Sequence, residues 1–334
     1  MTDTHRLVRL ARKPAALPAP GDFTLDEVPV PRPGEGEVLV RNTHFLVFPG
    51  LRTLIGGETR DVPLPPLNPG DALFGPAVGE VLEGSLPKGR RVLHLQGWRE
   101  YATPRAADCR VLDGTLPEPA ASLAQGSAAY GALTRLARVR EGDTVFVSGA
   151  AGAVGTLAGQ IARLLGAARV IGSTGSPAKA RRLREELGYD AVVLRGTGTT
   201  VAAQLAEAAP DGIDVMLDTV GGEQLTAAVE SARRGARFAL VGALAGQLSP
   251  RRRGGSAPAL VDTFLLLTRG VTLAGYSGAD HPDVEAEWEG RFAEWLRAGA
   301  IRFAYTAVRG MERAPAALPD LIAGRAYGAA IVEL

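Results

Sequence analysis

Two glycines three residues apart, Gly152 and Gly155, follow a short apolar segment, TVFVSG (144–149), and begin a stretch with helical spacing. In the dinucleotide-binding pattern G-x-G-x-x-G they hold the second and third glycine positions, and Ala150 holds the first. The second position lets the backbone approach a pyrophosphate, and the third lets the helix pack closely on the sheet. The helix N-terminus adds free N–H groups and a positive dipole end. The sequence therefore predicts a pyrophosphate site at Gly152, Ala153, Val154 and Gly155.

The end of the following strand indicates which dinucleotide would bind. A site for NAD carries Asp or Glu there, about 20 residues beyond the glycines, to accept a hydrogen bond from the ribose 2′-hydroxyl. Residues 172–176 read GSTGS and contain no carboxylate, whereas Ser173 and Thr174 offer hydroxyl donors and Lys179 follows one helical turn later. A negative 2′-phosphate suits this polar pocket better than a hydroxyl. We therefore predict NADPH as the cofactor, with a solvated helix face formed by Arg181, Arg182 and Arg184.

Short apolar segments alternate with helical patterns from about residue 120 onward. The strand-like segments are 144–149, 169–173, 191–194, 214–220 and 237–242. This alternation is typical of a parallel sheet covered on both faces by helices. The first 115 residues and the last 35 are rich instead in short strand patterns and tight-turn residues. The sequence thus predicts an α/β protein in which a doubly wound domain interrupts a β domain.

Composition excludes several classes of function. The chain has 334 residues, 46% of them hydrophobic and 22% charged, and a net charge of +1, which gives no electrostatic basis for binding nucleic acid or a membrane surface. No apolar run approaches the roughly 20 residues that cross a bilayer. Cys109 is the single cysteine, so we expect a cytoplasmic protein in which this thiol is a small buried hydrophobe. One cysteine and four scattered histidines make a tetrahedral zinc site improbable, and no metal site is predicted.

Longer segments carry a specific resemblance. They are FTLDEVPVPRPGEGEVLVRN (23–42), GWREYA (97–102), VSGAAGAVGTLAGQIARLLGA (147–167), GIDVMLDTVGGEQL (212–225), RFALVGAL (237–244) and GRAYGAAIVEL (324–334). Through them the chain resembles the zinc-free medium-chain dehydrogenase/reductase proteins of the leukotriene B4 dehydrogenase and prostaglandin reductase type, with plant double-bond reductases and a bacterial curcumin reductase. The resemblance implies a Rossmann domain (121–297) inserted in a GroES-like β-barrel domain (1–120 plus 298–334). It also implies a homodimer joined through the Rossmann domains.

The resemblance implies roles for individual residues. Gly152 to Gly155 match the pyrophosphate loop, and Lys179 matches a lysine that binds the 2′-phosphate. Thr219 stands at the position of an asparagine beside the nicotinamide. The backbone segment lining the nicotinamide corresponds to Val241, Gly242 and Ala243. Tyr276 matches a tyrosine near the substrate carbonyl.

Several family positions differ in this chain. Arg195 replaces a tyrosine at the 2′-phosphate, where its guanidinium can bind phosphate bidentately. Ala326 replaces an asparagine that contacts the cofactor, and Ala128 replaces a threonine near the nicotinamide. A substrate-facing tyrosine is missing from 48–52, which reads FPGLR, with Gly50 at the centre. The residues expected at the adenosine end of the cofactor therefore keep the ability to bind it, whereas several family residues at the nicotinamide end are missing.

The resemblance implies reduction of a carbon–carbon double bond conjugated to a carbonyl, in an apolar enone-type substrate. Hydride addition to the β carbon leaves an enolate, and a preorganised donor near its oxygen is the main aid required. Tyr276 is the candidate donor, and the nicotinamide ribose hydroxyl is the alternative. Tyr276 could instead be a partly buried residue that only packs at the end of a strand. His44 could face the cleft, although a hydrogen-bonded structural histidine is the simpler expectation. A quinone reductase, a dedicated biosynthetic enzyme with an unusual substrate, and an NADPH-binding sensor without turnover remain alternatives.

Overall fold

The structure is a computed structural model that describes residues 3–59, 62, 64–250 and 254–334. The chain divides into two compact units. One comprises Met1–Ala124, Gln247–Gly255 and Tyr305–Leu334, and the other comprises Gln125–Gly246 and Ser256–Ala304. The domain limits given above, 1–120 with 298–334 for the GroES-like domain and 121–297 for the Rossmann domain, stay predictions.

The first unit is built mainly of strands. In its N-terminal part they are β1 (Thr4–Leu10), β2 (Phe23–Pro29), β3 (Val38–Val47), β4 (Ala77–Gly84), β5 (Arg91–His94), β6 (Tyr101–Ala102) and β7 (Arg110–Val111), with one short helix, α1 (Leu51–Gly56), after β3. Strands β1 and β2 pair antiparallel as a two-stranded sheet. Strands β3, β4, β5 and β7 pair antiparallel in succession, and β6 pairs with β3.

The second unit is a six-stranded parallel sheet with its covering helices. Its elements in chain order are α2 (Gly126–Gly131), β8 (Thr144–Val147), α3 (Gly155–Leu164), β9 (Arg169–Thr174), α4 (Pro177–Leu187), β10 (Ala191–Leu194), α5 (Val201–Ala208), β11 (Ile213–Asp218), α6 (Glu223–Glu230), β12 (Ala232–Leu240), α7 (Leu244–Gln247), α8 (Thr263–Arg269), β13 (Thr272–Gly275) and α9 (Asp283–Arg297). The strand order is β10-β9-β8-β11-β12-β13. This 3-2-1-4-5-6 order is that of the Rossmann fold.

The chain then returns to the first unit with β14 (Tyr305–Arg309), α10 (Ala314–Ile322) and β15 (Ala329–Glu333). Strand β15 pairs antiparallel with β3 and parallel with β14, so the C-terminal strands extend the sheet begun near the N-terminus. The core of this unit unites residues from both parts of the chain, including Phe45, Trp98, Leu318 and Val332. The prediction that the tail rejoins the β domain is confirmed.

Burial explains why the Rossmann segments form as they do. Val145, Phe146 and Val147 of β8 are buried, as are Val215, Met216 and Leu217 of β11, because helices cover both faces of the central strands. Helix α4 begins where the Ser176 hydroxyl accepts a hydrogen bond from the Lys179 N–H. It ends at Gly188, whose φ of 70° is the left-handed conformation that terminates helices.

Helix α2 continues into a wider π-helical turn, Ala132–Leu136, which is closed by the hydrogen bond from the Ala137 N–H to the Ala132 carbonyl at 2.9 Å. Such turns are rare and occur often at functional sites. Within the described part of the chain, no helix has the length and apolar character needed to span a membrane.

Candidate functional site

The turn between β8 and α3 depends on glycines at fixed places. Gly149 has φ of 60°, a conformation that side chains rarely adopt, and its carbonyl accepts a hydrogen bond from the Gly152 N–H at 3.0 Å. A Cβ on Gly155 would lie 2.5 Å from the Ala150 Cα and from the Gly149 carbonyl oxygen. The tight turn therefore belongs to Gly149, not to the Ala150 position assigned to it from the G-x-G-x-x-G pattern, and Gly155 permits the close approach of helix and strand.

The N-terminus of α3 is open to an anion. No side chain caps it, because Val154 stands at the N-cap position. Among the described residues, no protein acceptor is seen for the backbone N–H groups of Ala153, Val154 and Gly155, as is usual in a first helical turn. The hydroxyl of Thr156 bonds to the Gly152 carbonyl at 3.0 Å and so points back along the helix. The first turn can accept the negative charge of a pyrophosphate.

Ser173 and Thr174 lie at the C-terminal end of β9, and the structure gives them different surroundings. Ser173 is fully buried: its hydroxyl donates to the Gln224 side chain and accepts from the Gly149 N–H at 3.1 Å. Through this bond the buried Ser173 side chain holds the backbone of Gly149 in place. Thr174 is 5% exposed, and its hydroxyl oxygen accepts from the Ser176 N–H at 3.4 Å.

Two cationic side chains lie at this same end of β9. Lys179 is half-buried in the first turn of α4, and loss of solvent lowers the pKa of its ammonium. Arg195 follows β10, and its backbone N–H donates to the Thr174 carbonyl at 3.0 Å. A Cβ on Gly175 would lie 3.6 Å from the Nη2 atom of the Arg195 guanidinium. The Arg195 Nε is buried without a hydrogen-bond partner among the described residues. An anion bound here would give this donor an acceptor, so the residues fit a 2′-phosphate.

Thr219 follows β11 and contacts the glycine turn. Its hydroxyl donates to the Ser148 carbonyl at 2.8 Å, and its N–H donates to the Ser148 hydroxyl at 2.8 Å. A Cβ on Gly149 would lie 2.7 Å from the Thr219 hydroxyl. Thr219 therefore lies directly against the β8 turn.

The segment after β12 is joined to β11 by backbone bonds. The N–H groups of Val241 and Gly242 donate to the Asp218 carbonyl at 2.7 and 3.1 Å. A Cβ on Gly242 would lie 2.9 Å from the Thr219 carbonyl. Gly242 and Ala243 are exposed. Their backbone is thus held at the C-terminal edge of the sheet and accessible to a ligand.

Tyr276 follows β13, and its N–H donates to the Leu240 carbonyl at 2.8 Å. Its ring stacks on His281 with centroids 5.3 Å apart and planes 3° from parallel. Its hydroxyl packs on α2 so closely that a Cβ on Gly131 would overlap it. Desolvation by burial raises the pKa of this phenol. The structure brings all the predicted cofactor-binding residues and Tyr276 to the carboxyl ends of strands of one parallel sheet, where ligands of such folds bind.

Three residues of this edge were missed by the sequence analysis: Gly149, Asp218 and Gln224. The Asp218 carboxylate accepts bonds from the Ser148 hydroxyl at 2.5 Å and from the N–H groups of Val220 and Gly221 at 3.0 and 2.9 Å. Gln224 is buried and accepts the hydroxyl of Ser173. For Asp218 the available signal was an aspartate that ends an apolar strand, with a Gly-Gly pair at 221–222 three residues later.

Comparison with known proteins decides the family. Residues 6–112 match the family profile described as "N-terminal domain of oxidoreductase", and residues 153–296 match "Zinc-binding dehydrogenase". The chain is 33% identical over 342 residues to the putative NADP-dependent oxidoreductase YfmJ of Bacillus subtilis, covering 100% of this chain and 99% of that protein. It is 31% identical over 337 residues to the NADPH-dependent curcumin reductase of Escherichia coli, covering 97% and 95%. The chain belongs to the zinc-free medium-chain dehydrogenase/reductase family.

Solved structures agree with this assignment. CurA of Vibrio vulnificus, known also in complex with NADPH, superposes with a TM-score of 0.87 at 28% identity and covers 98% of both chains. The predicted family and the predicted fold, a Rossmann sheet within a GroES-like β-barrel protein, are confirmed. In the described residues no group of three or more histidine, cysteine, aspartate or glutamate side chains is placed to hold a metal ion.

The structure gives the surroundings of the segment 48–52, of the other positions where this chain departs from its family, and of His44. Arg52 is buried in α1 and donates to the Ala16 carbonyl at 2.8 Å, so it supports the first unit internally. Phe48 packs against the apolar core of that unit. Ala128 and Ala326 are half-buried. His44 lies on β3 with its Nδ1 2.9 Å from the Thr43 hydroxyl, and burial lowers its pKa, in keeping with a structural histidine.

The polar loop 249–258 was expected to be solvated, with a lid as the alternative, and Arg251, Arg252 and Arg253 lie outside the described residues. The neighbouring backbone is tied down within the first unit. The Gly254 carbonyl accepts from the Thr53 hydroxyl at 3.1 Å, and the Gly255 N–H donates to Glu58 at 3.1 Å. Cys109 is half-buried beside the apolar cluster of Val38, Val40, Val81 and Val92, as a small hydrophobe would be.

Proposed function

We propose that this protein is an NADPH-dependent reductase of the carbon–carbon double bond of α,β-unsaturated carbonyl compounds. The observation that carries the proposal is the end of β9, where Lys179 and Arg195 stand in place of the carboxylate of an NAD site. Within the part of the chain that the structure describes, the buried Arg195 Nε has no hydrogen-bond partner. Relatives named curcumin reductase, prostaglandin reductase 1 of Bos taurus and 2-alkenal reductase of Nicotiana tabacum support the substrate class.

Each part of the edge has a task in this proposal. The N–H groups of 153–155 hold the pyrophosphate, and Lys179 and Arg195 hold the 2′-phosphate. Ser173 acts indirectly, because its buried hydroxyl bonds to the Gly149 turn and to Gln224. Thr174 acts through its backbone, because its carbonyl accepts from the Arg195 N–H. Thr219 and the backbone of 241–243 line the nicotinamide side. When bound, NADPH supplies the hydride.

Tyr276 is the proposed proton donor. Hydride addition to the β carbon would place negative charge on the substrate oxygen, and a phenol near that oxygen would stabilise the enolate and supply a proton. The raised phenol pKa keeps the hydroxyl protonated at neutral pH, as a donor requires. Tyr276→Phe should therefore lower kcat about 10- to 100-fold while leaving NADPH affinity within about twofold.

We also propose a homodimer formed through the Rossmann units. Strand β13 is an edge strand, and none of its residues is buried. Nearby, Leu260, Phe264 and Leu267 are 83, 68 and 77% exposed, which is unusual for large apolar side chains. A second copy of this chain would cover them. Sedimentation of the wild type and of Phe264→Lys tests this, since the variant should sediment as a smaller species. The cytoplasmic location stays a prediction.

The test of the activity is direct. Purified protein is mixed with NADPH and a panel of enones, enals and quinones, and the loss of the reduced nicotinamide absorbance is followed. Oxidation with enones at a rate lowered by Tyr276→Phe supports the proposal. Tight NADPH binding without oxidation would favour a sensor, and oxidation with quinones alone would favour a quinone reductase; either result would overturn it.

A further inference from the structure

The stacked pair Tyr276 and His281 is fixed from both ends of a short loop. Tyr276 is anchored to β12 through its N–H bond to Leu240 at 2.8 Å. His281 is anchored by its N–H bond to the Gly278 carbonyl at 3.1 Å, and its own carbonyl accepts from the Val284 N–H at 3.1 Å, at the start of α9. The parallel stack is thus a product of the backbone, and His281 remains partly exposed to solvent, which can deliver protons to it.

The tip of the Tyr276 ring is held by a third element. Its hydroxyl packs on Gly131, the last residue of α2, directly before the π-helical turn Ala132–Leu136. Only glycine leaves room here, because a Cβ would overlap the hydroxyl oxygen. The phenol therefore has one orientation, with its face on an imidazole and its oxygen against a helix backbone.

The charged side chains that influence the phenol lie in the π-helical turn and in α9. Arg135, in the π-helical turn, forms ion pairs with Glu287 and with Asp283 at 2.9 Å, and its charge lowers the Tyr276 pKa. Burial is the larger influence and raises that pKa, and Asp283 and Glu285 raise it further. The carboxylate of Asp283 also interacts with the charge of His281. Among side-chain types, histidine is the one whose charge ordinarily changes between pH 5 and 8.

We propose that His281 is a positioning residue that couples the proton-donating power of Tyr276 to pH. A protonated imidazole on the ring face attracts the π electrons and favours the phenolate, so that the phenol gives up its proton more readily. The O–H bond of Tyr276 breaks, the proton passes to the enolate left by hydride addition, and solvent reprotonates the phenolate. A neutral imidazole keeps the stacked geometry but does not stabilise the phenolate. The inference rests on the proposed function for its kinetic consequence only.

The coupling can be observed without turnover. Protein labelled with ¹³C at the tyrosine Cζ gives one resonance for Tyr276, assigned by its loss in Tyr276→Phe. In the wild type this resonance should shift in a step between about pH 5 and 8, the range in which imidazoles titrate. His281→Phe keeps an aromatic stack and should abolish the step. His44→Phe, which removes a half-buried histidine of the other unit, is the matched control and should leave the step unchanged.

The kinetic consequence has its own expected size. With an enone substrate, kcat of the wild type should fall about three- to tenfold as pH rises through the step, and kcat of His281→Phe should show no such fall. No step in the wild type, or a step that persists in His281→Phe, would overturn the inference. If the step is present and enones are not reduced, the coupling stands and the proposed function fails. His281→Ala, which removes stack and charge together, should lower kcat at every pH.

Discussion

The hydroxyl of Ser148, at the end of β8, donates a hydrogen bond to the carboxylate of Asp218, at the end of β11, and the two oxygens lie 2.5 Å apart. Both residues are fully buried. The same carboxylate accepts from Val220 and Gly221, while the Asp218 carbonyl accepts from Val241. One residue thus joins the ends of three strands from which the proposed cofactor site is built.

Removing the Asp218 carboxylate should destabilise the carboxyl-terminal edge of the parallel sheet. Asp218→Ala leaves the Ser148 hydroxyl and two backbone N–H groups buried without an acceptor, so we expect a loss of about 3 kcal/mol or more in the free energy of unfolding. Asp218→Asn keeps one acceptor oxygen and should cost less, about 1–2 kcal/mol. Urea denaturation of both variants checks the order. An unchanged midpoint for Asp218→Ala would contradict this account.

The preference for NADPH should depend on Lys179. Lys179→Ala removes a charge-assisted contact with the 2′-phosphate, and we expect NADPH affinity to fall about 10- to 100-fold while NADH affinity changes less than about twofold. Arg181→Ala, on the exposed face of the same helix, is the control and should change neither. Isothermal titration with both dinucleotides measures the difference. Equal losses for NADPH and NADH would remove Lys179 from the phosphate site.

Two glycines of the turn should respond differently to the same substitution. Gly155→Ala places a Cβ 2.5 Å from backbone atoms that cannot move aside, so we expect a lower Tm and a destabilisation of about 1–3 kcal/mol. The Cβ of Gly152→Ala would meet its nearest atom at 3.4 Å. This variant should therefore keep its Tm and lose NADPH affinity, because the methyl group occupies the approach of the pyrophosphate.

A third glycine provides the control for these two. Gly290→Ala, in α9, meets no atom within 4 Å and should leave Tm unchanged or raise it slightly, since alanine favours helix. Thermal unfolding with and without NADPH separates the effects. A Gly152→Ala protein that binds NADPH as tightly as the wild type would refute the assigned role of Gly152.

The sheet was predictable from the sequence because its signal is local. Apolar segments of four to seven residues separated by helical patterns identify β8 to β12 without knowledge of their neighbours. The limits of other strands depend on distant partners. Strand β3 runs on to Val47 because its later residues pair with β15, nearly 300 residues away in the chain. Similarly, β14 begins at Tyr305, where pairing with Ala329 begins.

The parts of the site that depend on the type of a residue could be predicted from the sequence. The parts that depend on a contact between residues distant in the chain could not. The absent carboxylate after β9 and the nearby lysine could be read directly from the chain. The turn glycine could not, because the side chains that would meet a Cβ on Gly149 are those of Thr219 and Val220, about 70 residues later in the chain. Likewise, nothing near Ser173 in sequence indicates that Gln224, 51 residues later, accepts its hydroxyl.

The acid stability of the β unit should depend on one buried histidine. His94 is 2% exposed, its Nε2 lies 2.9 Å from the Asn42 side-chain oxygen, and its Nδ1 accepts from the Gln96 N–H at 3.1 Å. Burial, with a smaller contribution from the charge of Arg99, lowers its pKa from 6.5 to about 4. The imidazole is therefore neutral in the folded protein well below the pH at which it charges in the unfolded chain.

The sign of the pH dependence follows from proton binding. Between pH 6.5 and about 4 the unfolded chain takes up a proton that the folded protein does not, so the stability contributed by neutral His94 is present above pH 6.5 and is lost as pH falls toward 4. The loss is at most about 3 kcal/mol. In His94→Gln, which keeps a side-chain donor and acceptor without titrating, the free energy of unfolding should fall less over this range. Equal slopes in urea denaturation of wild type and variant at pH 7, 6, 5 and 4 would show that His94 does not control acid stability.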